Sequence, residues 1–233
     1  MASYMAGQRG RNYTFYTEYG SRRQYASLWN FLKKGSFFDM EYIYDELSRR
    51  DGENPLDYPA LRDNPMDLYI VAADAATGRA RCFEKRNLWQ DHYDILKASG
   101  SIPFINKPCR VDERLYYDGG LGDPVPMERA FALGCDKVVL LLTKPVDTLA
   151  DSRQDERLAA RIRRRYPHAA EALCARAQRY NDSVARAKEY ARQGRVLIVA
   201  PDDTGGVDTL TRDRDALRRL YVKGYGEIGR AHV

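Results

Sequence analysis

The sequence is poor in histidine, has no closely spaced cysteine pair and contains no long apolar run. Its three histidines, His92, His168 and His232, do not have metal-ligand spacing, and its four cysteines form no C-x-x-C pair. We therefore predict no zinc site and expect no metal or cofactor. The wide spacing of the cysteines predicts reduced thiols in the core of a cytoplasmic protein.

No apolar segment approaches the roughly 18 residues that a membrane-spanning helix requires. The opening "MASYMAGQRGRN" also lacks the apolar segment of roughly 7–15 residues that secretory signals contain. What is present is a globular composition, with 44% hydrophobic and 30% charged residues in a chain of 233, which suffices for a sizeable core. The net charge of +5 is mild and does not argue for a nucleic-acid partner.

Strands alternate with helices along the chain, and this order predicts an α/β fold with a mostly parallel sheet. The segment "MDLYIVAADAATG" is typical of a buried strand, and the Thr77–Gly78 turn predicts an antiparallel hairpin with "RARCFEK". The apolar run "KVVLLLT" is typical of a central strand covered on both faces. Two long helices are expected at about 151–165 and 168–193.

The segment "LYYDGGLGDPVP" carries the strongest functional signal. Asp118 ends a predicted strand, and Gly119 and Gly120 allow a sharp turn that leaves space above its carboxylate. Asp118 is therefore a candidate general base at the carboxyl end of a strand. The alternative is that it only fixes a turn through backbone hydrogen bonds. Asp123, which precedes Pro124, is expected to cap the following helix or to organise the loop.

Four segments, taken in order, resemble the bacterial patatin-like phospholipases. "YYDGGLGDPVPMERAFALGCDKVVLLLTKP" is similar to their C-terminal active-site segment, and "LKASGSIPFINKP" is similar to a segment near their active site. "ASYMAGQRGRN" resembles the helix that follows their Gly-x-Ser-x-Gly nucleophile turn, and "RYNDSVARAKEYARQGRVLIVAPDD" resembles the tail of one bacterial subgroup. The resemblance extends over nearly the whole chain, to about Gly226.

The resemblance implies a three-layer fold, with a central, mostly parallel sheet flanked by helices, over one domain at 1–226. Residues 151–226 would form its C-terminal helical and strand portion. It implies a lipid acyl hydrolase of lipid metabolism that uses a serine–aspartate dyad. Asp118 would accept the serine proton, with Gly119 and Gly120 completing the Asp-Gly-Gly motif. Ser99, Ile102 and Pro103 would help to shape the acyl pocket, and a lipid or another ester would be the substrate.

The sequence departs from this family in one respect, because it contains no Gly-x-Ser-x-Gly motif. Ser3 lies on the outgoing helix between Ala2 and Tyr4, so we do not assign it as the nucleophile. The expected position of the nucleophile turn is just before Met1, and that of the glycine-rich oxyanion loop is further upstream. We therefore expect a fragment that is inactive by itself. We also expect a non-native tail at 227–233, because "EIGRAHV" matches one reading frame of a common sequencing adapter.

Other functions are also compatible with the sequence. The chain could instead be a non-catalytic patatin-like protein that binds lipid or acts as a scaffold and has no nucleophilic serine. A nucleotide-binding domain is less well supported, because the Gly119–Gly122 turn is too short for a phosphate-binding loop and ends in an acid. The basic helices after Pro145 could contact an anionic membrane surface, although a solvated outer face is the simpler interpretation. The sequence leaves the oligomeric state open.

Overall fold

A computed structural model describes residues 1–230, with side chains for residues 1–226. The expected tail at 227–233 thus lies outside the residues whose side chains are described. The α-helices of the described part are α1 (Ala2–Met5), α2 (Arg11–Thr14), α3 (Leu28–Lys34), α4 (Tyr58–Asp63), α5 (Asp94–Ser99), α6 (Met127–Ala132), α7 (Arg153–Ile162), α8 (Pro167–Cys174), α9 (Arg176–Arg192) and α10 (Arg214–Arg230). The strands are β1 (Tyr69–Asp74), β2 (Ala80–Glu84), β3 (Cys109–Val111), β4 (Arg114–Asp118), β5 (Val138–Leu141) and β6 (Val196–Val199). The predicted α/β class is confirmed.

The larger sheet has four strands in the order β2-β1-β4-β3, and all of its strand pairs are antiparallel. Two tight turns impose the antiparallel pairing of β1 with β2 and of β3 with β4, since strands joined by a few residues can only pair antiparallel. The pairing of β1 with β4 depends instead on packing. In the first turn, Oδ1 of Asp74 accepts hydrogen bonds from the backbone N–H groups of Ala76 and Thr77, each at 2.9 Å. Gly78 then adopts a left-handed backbone with φ of 69°. The predicted hairpin is confirmed, whereas the described residues do not form the expected central, mostly parallel sheet.

Helices cover both faces of this sheet. Alternate side chains of β1 and β4, such as Ile70 and Tyr116, pack with Ile95 and Ala98 of α5. The intervening side chains, such as Tyr117, pack with residues of α7 and α8. Alternation along the strands therefore divides the core into two apolar clusters, one on each side of the sheet.

The parallel pairing that the alternation of elements predicted is present only between β5 and β6. The long helices between these strands form the crossover connection that a parallel pair needs. Val138 and Leu140 face the core, but Val139 and Leu141 are 62% and 58% exposed. The prediction that both faces of this strand are covered is therefore not met within the described part of the chain.

Three local predictions need correction. The second of the two long predicted helices is divided, because α8 ends at Cys174 and α9 begins at Arg176. The helix expected near the start is interrupted at Gly7, whose φ is 75°. The four cysteines are free, but none is fully buried and Cys135 is exposed. Cys109 and Cys174 pack against the two apolar clusters, so the predicted core location is met in part and is wrong for Cys135.

Candidate functional site

Asp118 is the last residue of β4, and two backbone hydrogen bonds fix its position. Its N–H donates to the carbonyl of Ser101 at 2.8 Å. Its carboxyl oxygen Oδ1 accepts from the N–H of Gly120 at 2.7 Å. Among the described residues, the second carboxyl oxygen has no hydrogen-bond partner. The backbone thus holds one side of the carboxylate and leaves the other side available.

Gly120 leaves space at the Asp118 carboxylate, as predicted, whereas the turn itself does not require glycine. Neither Gly119 nor Gly120 has a positive φ, so the turn does not demand glycine for its backbone angles. A Cβ at Gly119 would lie 2.2 Å from the carbonyl oxygen of Val71 in β1. A Cβ at Gly120 would lie 3.0 Å from Oδ1 of Asp118. Close approach to β1 and to the carboxylate is therefore what requires a small residue here.

Burial controls the acidity of Asp118. Removal from water raises the pKa of this carboxyl above its ordinary range, because burial disfavours the charged form. The Gly120 N–H and the positive charge of Arg176 oppose that change in pKa. A carboxyl whose pKa is raised is a stronger base once ionised, which is the property a proton acceptor needs.

Asp118 lines a cleft of about 320 Å³ at the end of β4. Ser99, which the sequence analysis assigned to the acyl pocket, lines the same cleft, and so do Gly119 and Gly120. The other lining residues were not predicted: Met1, Ala2, Leu68, Tyr69, Ile70, Val71, Leu96, Asp123 and Pro126. The cleft is thus a partly apolar groove whose lining includes two carboxyl groups. Distant parts of the chain form it, so no local pattern could have identified these residues.

Ile102 and Pro103 were predicted to shape the pocket together with Ser99, but they do not line this cleft. The chain turns away after Ser101, whose carbonyl is taken by the Asp118 N–H. The carbonyl of Ile102 accepts from the N–H of Asn106 at 2.8 Å, which closes the turn. Only Ser99 of the predicted pocket segment reaches the Asp118 cleft.

Asp123 is a second carboxyl of the cleft. Helix α6 has Pro126 at its N-cap and no side-chain capping bond, so the predicted capping role is wrong. The Asp123 N–H donates to the Gly119 carbonyl at 2.9 Å, which agrees with the predicted role in organising the loop. Burial raises the pKa of the Asp123 carboxyl, opposed by the charges of Arg129 and Arg186.

Ser3 is buried, and its hydroxyl takes part in a hydrogen-bond network around Arg11. Its Oγ accepts a hydrogen bond from Arg11 at 3.0 Å. The same guanidinium donates to Oγ of Ser48 at 2.7 Å and to the carbonyl of Asn54 at 2.8 Å. Arg11, for which the sequence suggested no role, therefore joins α1 to the segment that follows residue 47. This contact agrees with our decision not to assign Ser3 as the nucleophile.

No group of three or more His, Cys, Asp or Glu side chains is placed to hold a metal ion among the described residues. Their helices also include none that is both long and apolar enough to cross a membrane.

Parts of this chain are similar to a known domain and to a known protein. Residues 166–231 match a domain of unknown function, DUF6363, a stretch that contains α8, α9, β6 and α10. Over 149 residues the chain is 22% identical to the uncharacterized protein YjjU of Escherichia coli (strain K12), and the match covers 62% of this chain and 40% of YjjU. The chain thus spans less than half of the length of this curated relative. Asp118 lies outside the DUF6363 match.

Proposed function

We propose that Asp118 is the general base of a serine ester hydrolase that acts on lipid acyl esters. The nucleophilic serine would come from residues that precede Ala2 in the whole protein. The observation that carries this proposal is that Asp118 lines one cleft together with Met1 and with Ala2, the first residue of α1. A serine placed directly before α1 would lie close to this cleft.

The chemistry assigned to Asp118 follows from its surroundings. The serine hydroxyl would transfer its proton to the carboxylate while its oxygen forms a bond to the ester carbonyl carbon. The proton would then pass to the departing alcohol, and water would release the acyl group by the same steps. The Gly120 N–H, at 2.7 Å from Oδ1, supports this role because it holds the carboxylate in one orientation. The apolar side of the cleft, with Leu68, Ile70 and Leu96, suits an acyl chain.

The same proposal includes membership of the bacterial patatin-like phospholipases and their three-layer fold. Helices on both faces of the four-stranded sheet are compatible with three layers. A central, mostly parallel sheet would require strands in addition to the six described. The exposed face of β5 and β6, with Val139, Leu141 and Leu197, offers an apolar surface that a larger domain would cover. The proposed setting is the cytoplasm, with no cofactor.

The test compares two matched acids of the cleft in the whole protein. Asp118→Asn should lower kcat for a chromogenic acyl ester by about 10²–10⁴-fold, the usual contribution of a general base. Asp123→Asn should retain activity within about fivefold, because a carboxyl that only organises the loop takes no proton. Both variants keep the shape of the side chain, so a difference in activity between them should not result from unfolding. Circular dichroism of the two variants checks that both are folded.

A fluorophosphonate probe identifies the nucleophile independently. We expect one labelled serine, located before Ala2, and unchanged labelling after Ser99→Ala. Labelling of Ser99 instead would contradict the proposed dyad. A whole protein that neither reacts with the probe nor hydrolyses esters would favour the non-catalytic lipid-binding alternative.

A further inference from the structure

A second cleft, of about 380 Å³, shares no lining residue with the Asp118 cleft. It lies between the end of α3, the loop before β3, β4 and the segment that joins α7 to α8. We call it the basic cleft. Its lining residues are Phe31, Gly35, Phe104, Asn106, Lys107, Pro108, Arg110, Leu115, Tyr117, Ile162, Arg165 and Tyr166.

Three basic residues of this cleft have no acidic partner. Lys107, Arg110 and Arg165 are exposed, and none forms a salt bridge with any described residue. A surface arginine such as Arg62 pairs with the adjacent Asp63 at 2.7 Å, whereas these three bases gather around one cleft. Three cations from separate segments match the charge and the several acceptor oxygens of a phosphate group.

Phe104 and Phe31 form an aromatic wall of the basic cleft, and the backbone of Phe104 has an unfavourable conformation. Phe104 has a φ of 69°, a backbone conformation that is rare and unfavourable for a bulky residue. Its ring lies 5.7 Å from the ring of Phe31 and 4.5 Å from the guanidinium of Arg161. Strain of this kind is found preferentially at ligand sites.

One polar atom beside this wall has no partner. Asn106 donates its side-chain N–H to the carbonyl of Phe38 at 2.6 Å. Its Oδ1 is buried and accepts no hydrogen bond from the described residues. A hydroxyl or ammonium group on a ligand in the cleft would satisfy this acceptor, since buried polar atoms are normally paired.

Helix α3 presents an uncovered apolar face beside the basic cleft. Leu28, Trp29 and Leu32 are 74%, 61% and 76% exposed, and the Lys33 ammonium lies 4.8 Å from the Trp29 ring. The helix is well fixed at both ends, by the Ser27 cap and by a left-handed Gly35. Exposed leucine and tryptophan next to lysine are typical of a helix that lies in a membrane interface.

The helix and the basic cleft form one continuous surface. Phe31 of α3 and Gly35, which caps this helix, line the cleft. The stem of Lys107 lies against Gly35, where a Cβ would be 2.5 Å from Cε of the lysine. The Lys107 N–H also donates to Oγ of Ser36 at 3.0 Å. An object that contacts the apolar face of α3 therefore meets the basic residues at the same time.

We propose that this surface docks on a bilayer that contains anionic phospholipid. The basic cleft binds the phosphate headgroup, and Leu28, Trp29 and Leu32 enter the interface beside it. The complementarity of charge selects this partner, because an unpaired cationic cleft next to an apolar helix face matches a phosphate next to acyl chains. This inference goes beyond the proposed hydrolase and does not depend on it.

The two tryptophans of the chain, Trp29 and Trp89, supply a matched pair of probes, as they are 61% and 65% exposed. In Trp89→Phe, the emission of Trp29 should shift to shorter wavelength when vesicles of phosphatidylcholine and phosphatidylglycerol are added. In Trp29→Phe, the emission of Trp89 should not shift. No shift of Trp29, or equal shifts in vesicles of phosphatidylcholine alone, would overturn the proposal.

Charge-matched variants test the basic cleft by co-sedimentation with the same vesicles. The triple change Lys107→Gln, Arg110→Gln and Arg165→Gln should weaken partitioning on the order of 100-fold, at about fivefold for each basic residue near an anionic surface. The control Lys137→Gln, Arg157→Gln and Arg219→Gln removes the same charge from exposed positions elsewhere and should weaken it less than about threefold. Equal losses in the two triple variants would contradict a specific cleft.

Two further experiments test the role of α3 and distinguish a lipid headgroup from a water-soluble phosphate ester. Leu32→Ser should weaken partitioning, whereas Leu149→Ser, which changes an equally exposed leucine at 76%, should not. Glycerol 3-phosphate without vesicles should not shift the emission of Trp29. Saturable binding of glycerol 3-phosphate together with failure to sediment would show that the cleft serves a water-soluble phosphate ester, and the bilayer proposal would fail.

Discussion

The N–H of Gly120 donates a 2.7 Å hydrogen bond to Oδ1 of Asp118, two residues earlier in the chain. This bond stabilises the ionised carboxyl, while the burial of the group favours the neutral acid. Burial is the larger effect, so the pKa of Asp118 is raised. The carboxylate is held in place and remains basic, which leads to predictions on activity, on stability and on the two glycines.

The proposed ester hydrolysis should decline as the pH falls through the raised pKa of Asp118. A general base must be ionised, so the acid limb of kcat/KM should lie above the ordinary aspartate pKa of about 3.9. The measurement is a pH profile of kcat/KM with an uncharged ester. An acid limb at or below the ordinary value would contradict a buried base at this position.

Asp118→Asn should stabilise the fold at neutral pH. The pKa of Asp118 is higher in the folded than in the unfolded chain, so its stabilising contribution is complete below about pH 3.9 and is lost as the pH rises through the folded pKa. Asparagine removes this loss. The melting temperature should therefore exceed that of the parent at pH 7, and the difference should shrink toward pH 3.9. The control Asp67→Asn changes an exposed carboxyl and should leave the melting temperature unchanged both at pH 7 and near pH 3.9.

Gly119→Ala should reduce the stability of the fold, whereas Gly120→Ala should reduce activity. A methyl group at Gly119 would lie 2.2 Å from the backbone of Val71, which cannot move aside without disturbing β1. We expect a loss of about 1–3 kcal/mol in the free energy of unfolding. The methyl group at Gly120 would meet only the Asp118 carboxylate, at 3.0 Å. That variant should keep its stability and lose activity, measured by denaturant unfolding and ester hydrolysis.

Local signals in the sequence predicted much of the local structure, and tertiary contacts account for the rest. The Thr77–Gly78 turn and the left-handed Gly35 at the end of α3 could both be predicted, because a few neighbouring residues determine them. The antiparallel sheet could not, since the partners of β1 and β4 depend on packing. The Asp118 turn was predicted, but the reason for Gly119 lies in Val71, almost fifty residues away.

Arg11 and Arg9, two residues apart, should differ sharply in their effect on stability. Arg11 is 8% exposed and donates to Ser3, Ser48 and Asn54; burial lowers its pKa to about 10, so it remains charged at pH 7. Arg11→Ala leaves the acceptors without a donor and should reduce the free energy of unfolding by about 1–3 kcal/mol for each charged contact that is not replaced by water. The exposed Arg9→Ala should change it by about 0.5 kcal/mol or less.

Arg176→Ala should lower the free energy of unfolding, because it leaves the buried carboxylate of Asp155 without its partner. Asp155 is 3% exposed, and Arg176 donates to its two oxygens at 2.9 and 2.6 Å. Without the guanidinium, the ionised Asp155 is buried and unpaired, so the free energy of unfolding at pH 7 should fall by about 3–5 kcal/mol. Adding Asp155→Asn should recover part of this loss, because the second change removes the unpaired charge.

The matched control for this pair is Arg157→Ala, an exposed arginine on α7 with no acidic partner among the described residues. It should alter the free energy of unfolding by about 0.5 kcal/mol or less. Arg176 also lowers the pKa of Asp118, so the double variant Asp155→Asn and Arg176→Ala should move the acid limb of ester hydrolysis to higher pH. If stability falls but the limb does not move, Arg176 acts on Asp155 alone, and the charge that moderates Asp118 must come from elsewhere.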